Sequence, residues 1–488
     1  MATEEAELIM PFPDGEGIPE AIKAAKPRFD RSIIEGPLAR AVWAIAWPTM
    51  LTNVIGGLQG MVDHILVGNL IGFQANAAIG VSWQIFLVVI VFISSIFTGM
   101  SVLVARFAGA GDEEKVNRTV YQGFLTAIFI SIAILAPVGY FASPLLLDIV
   151  NADAAVKALA LPYLRIMFVF SLGLMIYFML GGALRSAGDA RTPMKLGLVM
   201  TVSNLILNII LIRGLGPIPA YGTAGSAMGT CIAAGSIGLF ALWRLIRGGW
   251  VIEFPRGGYR PNWTVIRQLF KFGLPAGIQG IAMNVGGVLM LSFIGSLAQS
   301  AAAQAAFAVS YTQLFSLITW TSMGLMGAAA AVAGQNLGAR QPDRANAAVH
   351  TAARIGVAGA AFVGIFFFFF PRQLLAIFGM NDPAVVEIGV QLLRVLSVSG
   401  LFIATALTYT GGLQGTGDTK SPLYISIISQ VVVPLGICFV IKQFGTLDPI
   451  YIWLAILAGH ITRCVLSLVR FRQGNWRNIA VDIESTAH

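Results

Sequence analysis

Twelve apolar stretches run through this chain, at about residues 42–70, 77–104, 119–145, 160–183, 194–214, 221–247, 268–297, 305–334, 348–372, 393–415, 420–445 and 449–471. Each is long enough to cross, as a helix, a hydrocarbon core roughly 30 Å thick. In lipid every backbone N–H and C=O must find its partner within the protein, so such spans fold as helices rather than as open sheet. Composition agrees, with a mean hydropathy of +0.79 and only 11% charged residues, against about a quarter in soluble domains. The expected fold is an all-α polytopic membrane protein of twelve helices.

The chain also repeats itself. Gly-Asp-Ala-Arg-Thr-Pro at Gly188 to Pro193 returns as Gly-Asp-Thr-Lys-Ser-Pro at Gly417 to Pro422, a shift of 229 positions. Gly109 and Gly338, Asp153 and Asp382, and Arg165 and Arg394 keep the same shift. A fixed spacing with weak identity between the marks is the signature of a duplicated unit. Each unit holds six spans, an even number, so the two copies enter the bilayer in the same direction. They are then two six-helix bundles related by a pseudo-two-fold axis along the membrane normal, an architecture suited to a transporter that rocks its halves about a central site. The expected divisions are a tail over 1–37, a lobe over 38–247, a linker over 248–267, a second lobe over 268–472 and a tail over 473–488.

Lysine and arginine set the orientation. With the N-terminus inside, 25 of the 31 fall in inner segments, and only Lys157, Arg165, Arg213, Arg372, Arg394 and Lys442 fall outside. Both termini are expected in the cytoplasm. The same bias accounts for the net charge of +8, which therefore gives no reason to expect a nucleic-acid partner. The first forty residues are polar and lack a basic segment followed by a short apolar core, so they do not read as a cleavable signal. They read as a tail leading to a short interfacial helix from about Arg31. Cys231, Cys438 and Cys464 lie in spans without metal or disulfide spacing, and the Phe366 to Phe370 run reads as lipid-facing or packing surface.

Of the 23 acids, 22 fall in the tails, in loops or at span ends, and Asp63 alone falls inside a span. A carboxyl in hydrocarbon must neutralise, pair or face water, so it is suited to carrying a proton or a small cation. His64 beside it points about 100° away around the helix and reads as a packing residue or a second proton carrier. Asn204 and Asn208, four apart in the fifth span, share a helix face and read either as helix–helix glue or as part of a ligand site. Their counterparts in the second unit are Val433 and Ile437, and that of Asp63 is Met290. Any ion chemistry is thereby placed in the N-terminal half.

With these residues in view, the chain resembles the multidrug and toxic compound extrusion (MATE) family over about residues 38–470. The resemblance rests on Trp47-Pro48 followed by Met61 to Gly68, on Arg106 to Gly111, on Leu184 to Asp189, on Asn204 to Gly216 before Gly225 to Thr230, and on Gly334 to Ala339. It implies a secondary antiporter with a cation site made by Asp63, Asn204, Asn208 and Thr230. Asn208 stands where some members carry a second aspartate, and helices 7 and 10, around Ile281 to Asn284 and Phe402 to Ala404, lack the acids of another branch. The coupling ion, proton or sodium, stays open. No cofactor is implied beyond the transported H+ or Na+.

For the substrate, Asn53, Gln84, Gln279, Met283, Asn284, Tyr311 and Gln313 are polar, soft or aromatic residues in apolar spans, expected to line an amphipathic cavity between the halves. Methionines re-pack around varied guests and aromatic faces attract organic cations, so lipophilic, cationic organic compounds are the expected substrates. The other partners expected are membrane lipids, around a monomer in a prokaryotic inner membrane. A lipid-linked oligosaccharide flippase of the same general fold is the alternative; it would need cavity arginines, and the sequence places no Arg or Lys well inside a span. An enzyme would need a nucleophile–base or metal constellation, and the four histidines, His64, His350, His460 and His488, are scattered.

Overall fold

The computed structural model describes residues 28–150, 153–255 and 257–481. The N-terminal tail with its acids Glu4 to Glu20 and with Lys23 and Lys26, the linker residue Arg256, and Asp482, Glu484 and His488 lie outside the described residues. The described chain is helical, as hydropathy requires. Its long helices are α1 (Leu38–Leu70), α2 (Phe73–Ala110), α3 (Glu113–Ile149), α4 (Ala154–Val169 continued by Ser171–Ser186), α5 (Arg191–Arg213), α6 (Gly222–Arg247), α7 (Trp263–Gly295), α8 (Ser300–Gly338), α9 (Pro342–Phe369), α10 (Pro383–Thr416), α11 (Lys420–Phe444) and α12 (Pro449–Arg472). Ten are long and apolar enough to cross a membrane by themselves, and α4, bent by 53°, is an eleventh taken as one span. The twelfth is α2, 38 residues long. They form two six-helix bundles, the fold class read from the sequence.

Most helices overrun the apolar stretch that foretold them by a turn or more, and α3, α4, α7 and α10 start from side-chain caps on Asp112, Asp153, Asn262 and Asp382. The caps repeat with the sequence. Asp153 accepts from the Ala155 N–H at 3.1 Å, and its counterpart Asp382 accepts from Ala384 N–H at 2.9 Å. Asp189 accepts from Arg191 and Thr192 N–H at 3.1 and 3.0 Å, and Asp418 accepts from Ser421 N–H at 3.1 Å. Gly188 and Gly417, which precede the latter pair, sit at φ +103° and +101°, a left-handed conformation that glycine adopts without steric cost.

Between the bundles, α1 packs along α8 and α7 along α2, so each bundle's first helix lies against the second helix of the other. The connection from α6 to α7 runs along α3, where Tyr121 and Gln122 donate to the Tyr259 and Arg260 carbonyls at 2.9 Å each. The short helix expected near Arg31 is one turn, Ser32–Glu35. Ile33 is buried and its carbonyl accepts from Asn336 of α8 at 3.3 Å, while Arg28 pairs with Glu253 at 2.7 Å and Glu113 at 3.5 Å. This segment thus ties α8, the linker and the start of α3 together at the arginine-rich end. In the phenylalanine run, Phe366, Phe368, Phe369 and Phe370 are exposed on the outside of α9, and Phe367 is buried.

Candidate functional site

Among the described residues, Asp63 is the acid deepest within a helix, seven residues before α1 ends at Leu70. Asn208 of α5 donates its Nδ2 to Asp63 Oδ1 at 2.8 Å. That amide also reaches Asn204 Oδ1 at 3.4 Å, and Asn204 donates to Thr230 Oγ1 of α6 at 3.0 Å. Thr230 in turn donates to the Ser226 carbonyl at 3.2 Å. The four residues named from the sequence therefore meet in one hydrogen-bonded chain across three helices. Asn204 and Asn208 are both essentially inaccessible to solvent, and the four-residue spacing puts their amides on one face toward α1.

Gln59 completes the arrangement and is absent from the reading of the sequence. It donates to Asn204 Oδ1 at 2.9 Å and accepts from Thr201 Oγ1 at 2.8 Å. Its signal was available: Gln59 lies four residues before Asp63, so two polar groups on α1 oppose two on α5. A second unforeseen contributor is Gly229. A Cβ there would fall 2.1 Å from Asn208 Oδ1, so only glycine lets α6 close on this amide. Asn208 Oδ1 itself is buried without a partner.

Asp63 is half-buried and lines a cavity of about 350 Å³ together with Gln59, His64, Trp83, Tyr163, Tyr177, Thr201 and Thr230. The wall is closed by Asn53 and by Trp320 of α8, and Asn53 donates to the Trp320 carbonyl at 3.3 Å, so the cavity touches both bundles. His64 borders it too, with Nδ1 2.5 Å from Asn76 Oδ1 of α2. Its partner is a neighbouring-helix amide.

A second cavity of about 330 Å³ lies between the bundles, lined by Thr49, Asn53, Phe97, Ser101, Phe178, Arg185, Met323, Met326 and Gln414. Arg185 and Gln414 are equivalent in the two repeats, 229 positions apart. Asn53, Phe178 and Met323 border both cavities. Of the seven residues expected to line one central cavity, Asn53 does so. Met283 and Tyr311 instead line a cavity of about 390 Å³ inside the C-terminal bundle. Gln279 is buried in packing, donating to Ser426 Oγ at 2.8 Å and accepting from Gln414 Nε2 at 3.2 Å. Asn284 is exposed and donates back to the Gly280 carbonyl of its own helix at 3.1 Å. Gln84 is exposed and Gln313 half-buried, and neither borders these cavities.

One expectation is overturned. The sequence places no arginine well inside a span, yet Arg463 of α12 is 2% exposed, nine residues from the helix end. It falls eight residues inside the apolar stretch at 449–471, so its place in a span was legible in the sequence and only its burial was not.

The MatE family profile matches this chain twice, over residues 48–210 and 275–440. The chain belongs to the MatE family. The double match follows the duplication, since Pro48 and Pro275 are the equivalent prolines of α1 and α7. The probable multidrug resistance protein NorM of Thermotoga maritima is 28% identical over 438 residues, 90% of this chain and 93% of that one. The probable multidrug resistance protein YoeA of Bacillus subtilis is 25% identical over 422 residues, 86% and 90% of the two chains. In fold, a multidrug resistance MATE family transporter of the MOP superfamily, solved in an outward-facing conformation, superposes with a TM-score of 0.86 at 20% identity, covering 94% of this chain and all of that one. A MATE in complex with MaL6 gives 0.84 at 21%, covering 93% and 98%. This MatE protein is accordingly a multi-pass membrane transporter of the multidrug efflux family and not an enzyme. Members of the family need no cofactor, and among the described residues no cluster of His, Cys, Asp and Glu is placed to hold a metal.

Proposed function

We propose that this MatE protein exports lipophilic organic cations in exchange for protons, with Asp63 as the coupling residue. The observation that carries the reading is the bond from Asn208 to Asp63 at the wall of an aromatic cavity. Trp83, Tyr163, Tyr177 and Trp320 offer ring faces to a cation, and the carboxylate offers the opposite charge. A proton and a cationic substrate then compete for Asp63. Protonation removes the charge, frees the Asn208 amide and lets α1 repack against α5, biasing one state of the transporter over the other.

The hydrogen-bond inventory favours the proton over sodium. A hard cation requires several free oxygens. Here Asn208 presents its N–H₂ to Asp63, the Asn204 oxygen already accepts from Gln59 and Asn208, and Thr230 accepts from Asn204. Among the amide and hydroxyl oxygens only Asn208 Oδ1 is left over, beside the single carboxylate of Asp63. The lobes 38–247 and 268–472 would rock about the shared cavities, in a prokaryotic inner membrane with both termini cytoplasmic.

Purified protein in proteoliposomes tests this reading. Uphill movement of a lipophilic cation such as a tetraphenylphosphonium salt should follow an imposed pH gradient and ignore an imposed sodium gradient; movement driven by sodium alone would refute the proton assignment.

A further inference from the structure

The 390 Å³ cavity inside the C-terminal bundle has features that the coupling reading does not use. Its walls include Met283 and Met290 of α7, Tyr311 and Phe315 of α8, Ser429 of α11 and Ile456 of α12. Two of those walls are π-helical turns, Ala308–Leu314 and Ile428–Val432, and such turns concentrate at functional sites. Each turn holds a serine with a fully buried hydroxyl and no hydrogen-bond partner, Ser310 and Ser429.

Behind them lies Arg463. It is seven residues from Ile456, on the same face of α12, and within electrostatic reach of Tyr311. Among the described residues it makes no ion pair or hydrogen bond, and its buried Nε is unpartnered. Arginine cannot shed its proton to escape burial, and no carboxylate lines the cavity. His460, one turn away, is occupied: its Nδ1 is 2.5 Å from Ser399 Oγ and its ring stacks on Phe315. Trp453, Phe307, Tyr311 and Phe315 continue this into a ladder of rings, with centroids 5.9, 4.8 and 5.4 Å apart. The cavity thus has an aromatic and thioether wall with the hydroxyls of Tyr311 and Ser429 on it, and the unpaired Arg463 stands behind that wall rather than on it. The N-terminal bundle has no equivalent, because Ala234 stands where the repeat would place Arg463 and Ser82 where it would place Tyr311.

We propose that this cavity is a binding site for an aromatic carboxylate, the ring lying against Phe315, Met283 and Met290 and the carboxylate meeting Arg463 with the hydroxyls of Tyr311 and Ser429. A buried guanidinium lacking an acid partner is stabilised by an anionic ligand that brings its own acceptors. The claim concerns equilibrium binding and stands apart from Asp63.

The test is calorimetric titration of the full chain in nanodiscs with 2-naphthoate, 2-naphthalenemethanol and 2-naphthylmethylammonium. Naphthoate should bind at least about tenfold more tightly than either isostere, and Arg463→Gln should erase that preference while Arg463→Lys restores part of it. Tyr311→Phe and Ser429→Ala, which remove no packing volume of consequence, should each weaken naphthoate several-fold, so the test survives if the arginine variants misfold. Asp63→Asn should leave naphthoate binding unchanged, which separates this site from the coupling reading. Equal binding of the three probes, an unaltered affinity in Arg463→Gln or in both hydroxyl variants, or a site that takes chloride but not naphthoate would overturn the proposal.

Discussion

A Cβ on Gly109 would fall 1.9 Å from the carbonyl oxygen of Gln335. The repeat returns the contact with its partners exchanged: a Cβ on Gly338 would fall 2.0 Å from the carbonyl oxygen of Arg106, and each pair is related by the same shift of 229. Reciprocal contacts of this kind are what a two-fold axis produces. They bring α2 and α8 into backbone contact at the arginine-rich ends of the two bundles.

Side chains there should therefore wedge the bundles apart. Gly338→Val is expected to separate these ends by a few ångströms, since overpacking at a backbone contact costs about 1–3 kcal/mol. Spin labels at Glu114 and Asp343, equivalent exposed positions, would report the distance. An unchanged distance distribution would show that the contact does not hold this state.

Gly229→Ala should act on Asp63 without touching it. Its methyl cannot coexist with Asn208 Oδ1 at 2.1 Å, so the Asn208 amide must leave Asp63. The variant is expected to insert and fold, gaining up to about 1 kcal/mol in helix propensity, while proton-driven efflux falls several-fold. Wild-type efflux from Gly229→Ala would separate Asn208 from coupling.

The inner-turn aspartates should be structural. Asp189→Ala is expected to lose about 1 kcal/mol of capping. Asp418→Ala should lose more, because Arg470 Nε, 3.0 Å from Asp418 Oδ2, would lose its carboxylate. Both should lower the unfolding temperature in detergent and leave the number of protons exchanged per substrate unchanged. Normal stability with altered ion dependence would count against the assignment.

Topology is open to a direct check. If the proposed orientation holds, with both termini cytoplasmic, a reporter fused after His488 that is active only in the periplasm should remain silent.

Hydropathy and the 229-residue shift made the twelve helices, the two bundles and the paired caps legible, because each follows from local composition. Asp63, Asn204 and Asn208 were legible for a similar reason, since polar groups in apolar spans must find one another, whereas Thr230 came from the resemblance to the MATE family. Gln59 could have been included by its spacing from Asp63. Arg463 could have been too, since it lies inside the apolar stretch at 449–471; only its burial depends on how α12 packs against its neighbours. The same holds for Gln84, Asn284 and Gln313, whose polarity alone did not tell which helix face each would occupy. The bend of α4 at Phe170, with φ −102° and ψ 20°, and the π-helical turns likewise arise from tertiary packing.

The central claim is that one proton on Asp63 drives export. The most direct measurement compares wild type with Asp63→Asn in proteoliposomes under an imposed pH gradient, together with equilibrium binding of the same lipophilic cation. Asp63→Asn, nearly isosteric and able to keep a hydrogen bond with Asn208, should fold, bind the cation measurably but more weakly than the wild type, and lose uphill transport. Export by Asp63→Asn at the wild-type rate and against the same substrate gradient would contradict the account.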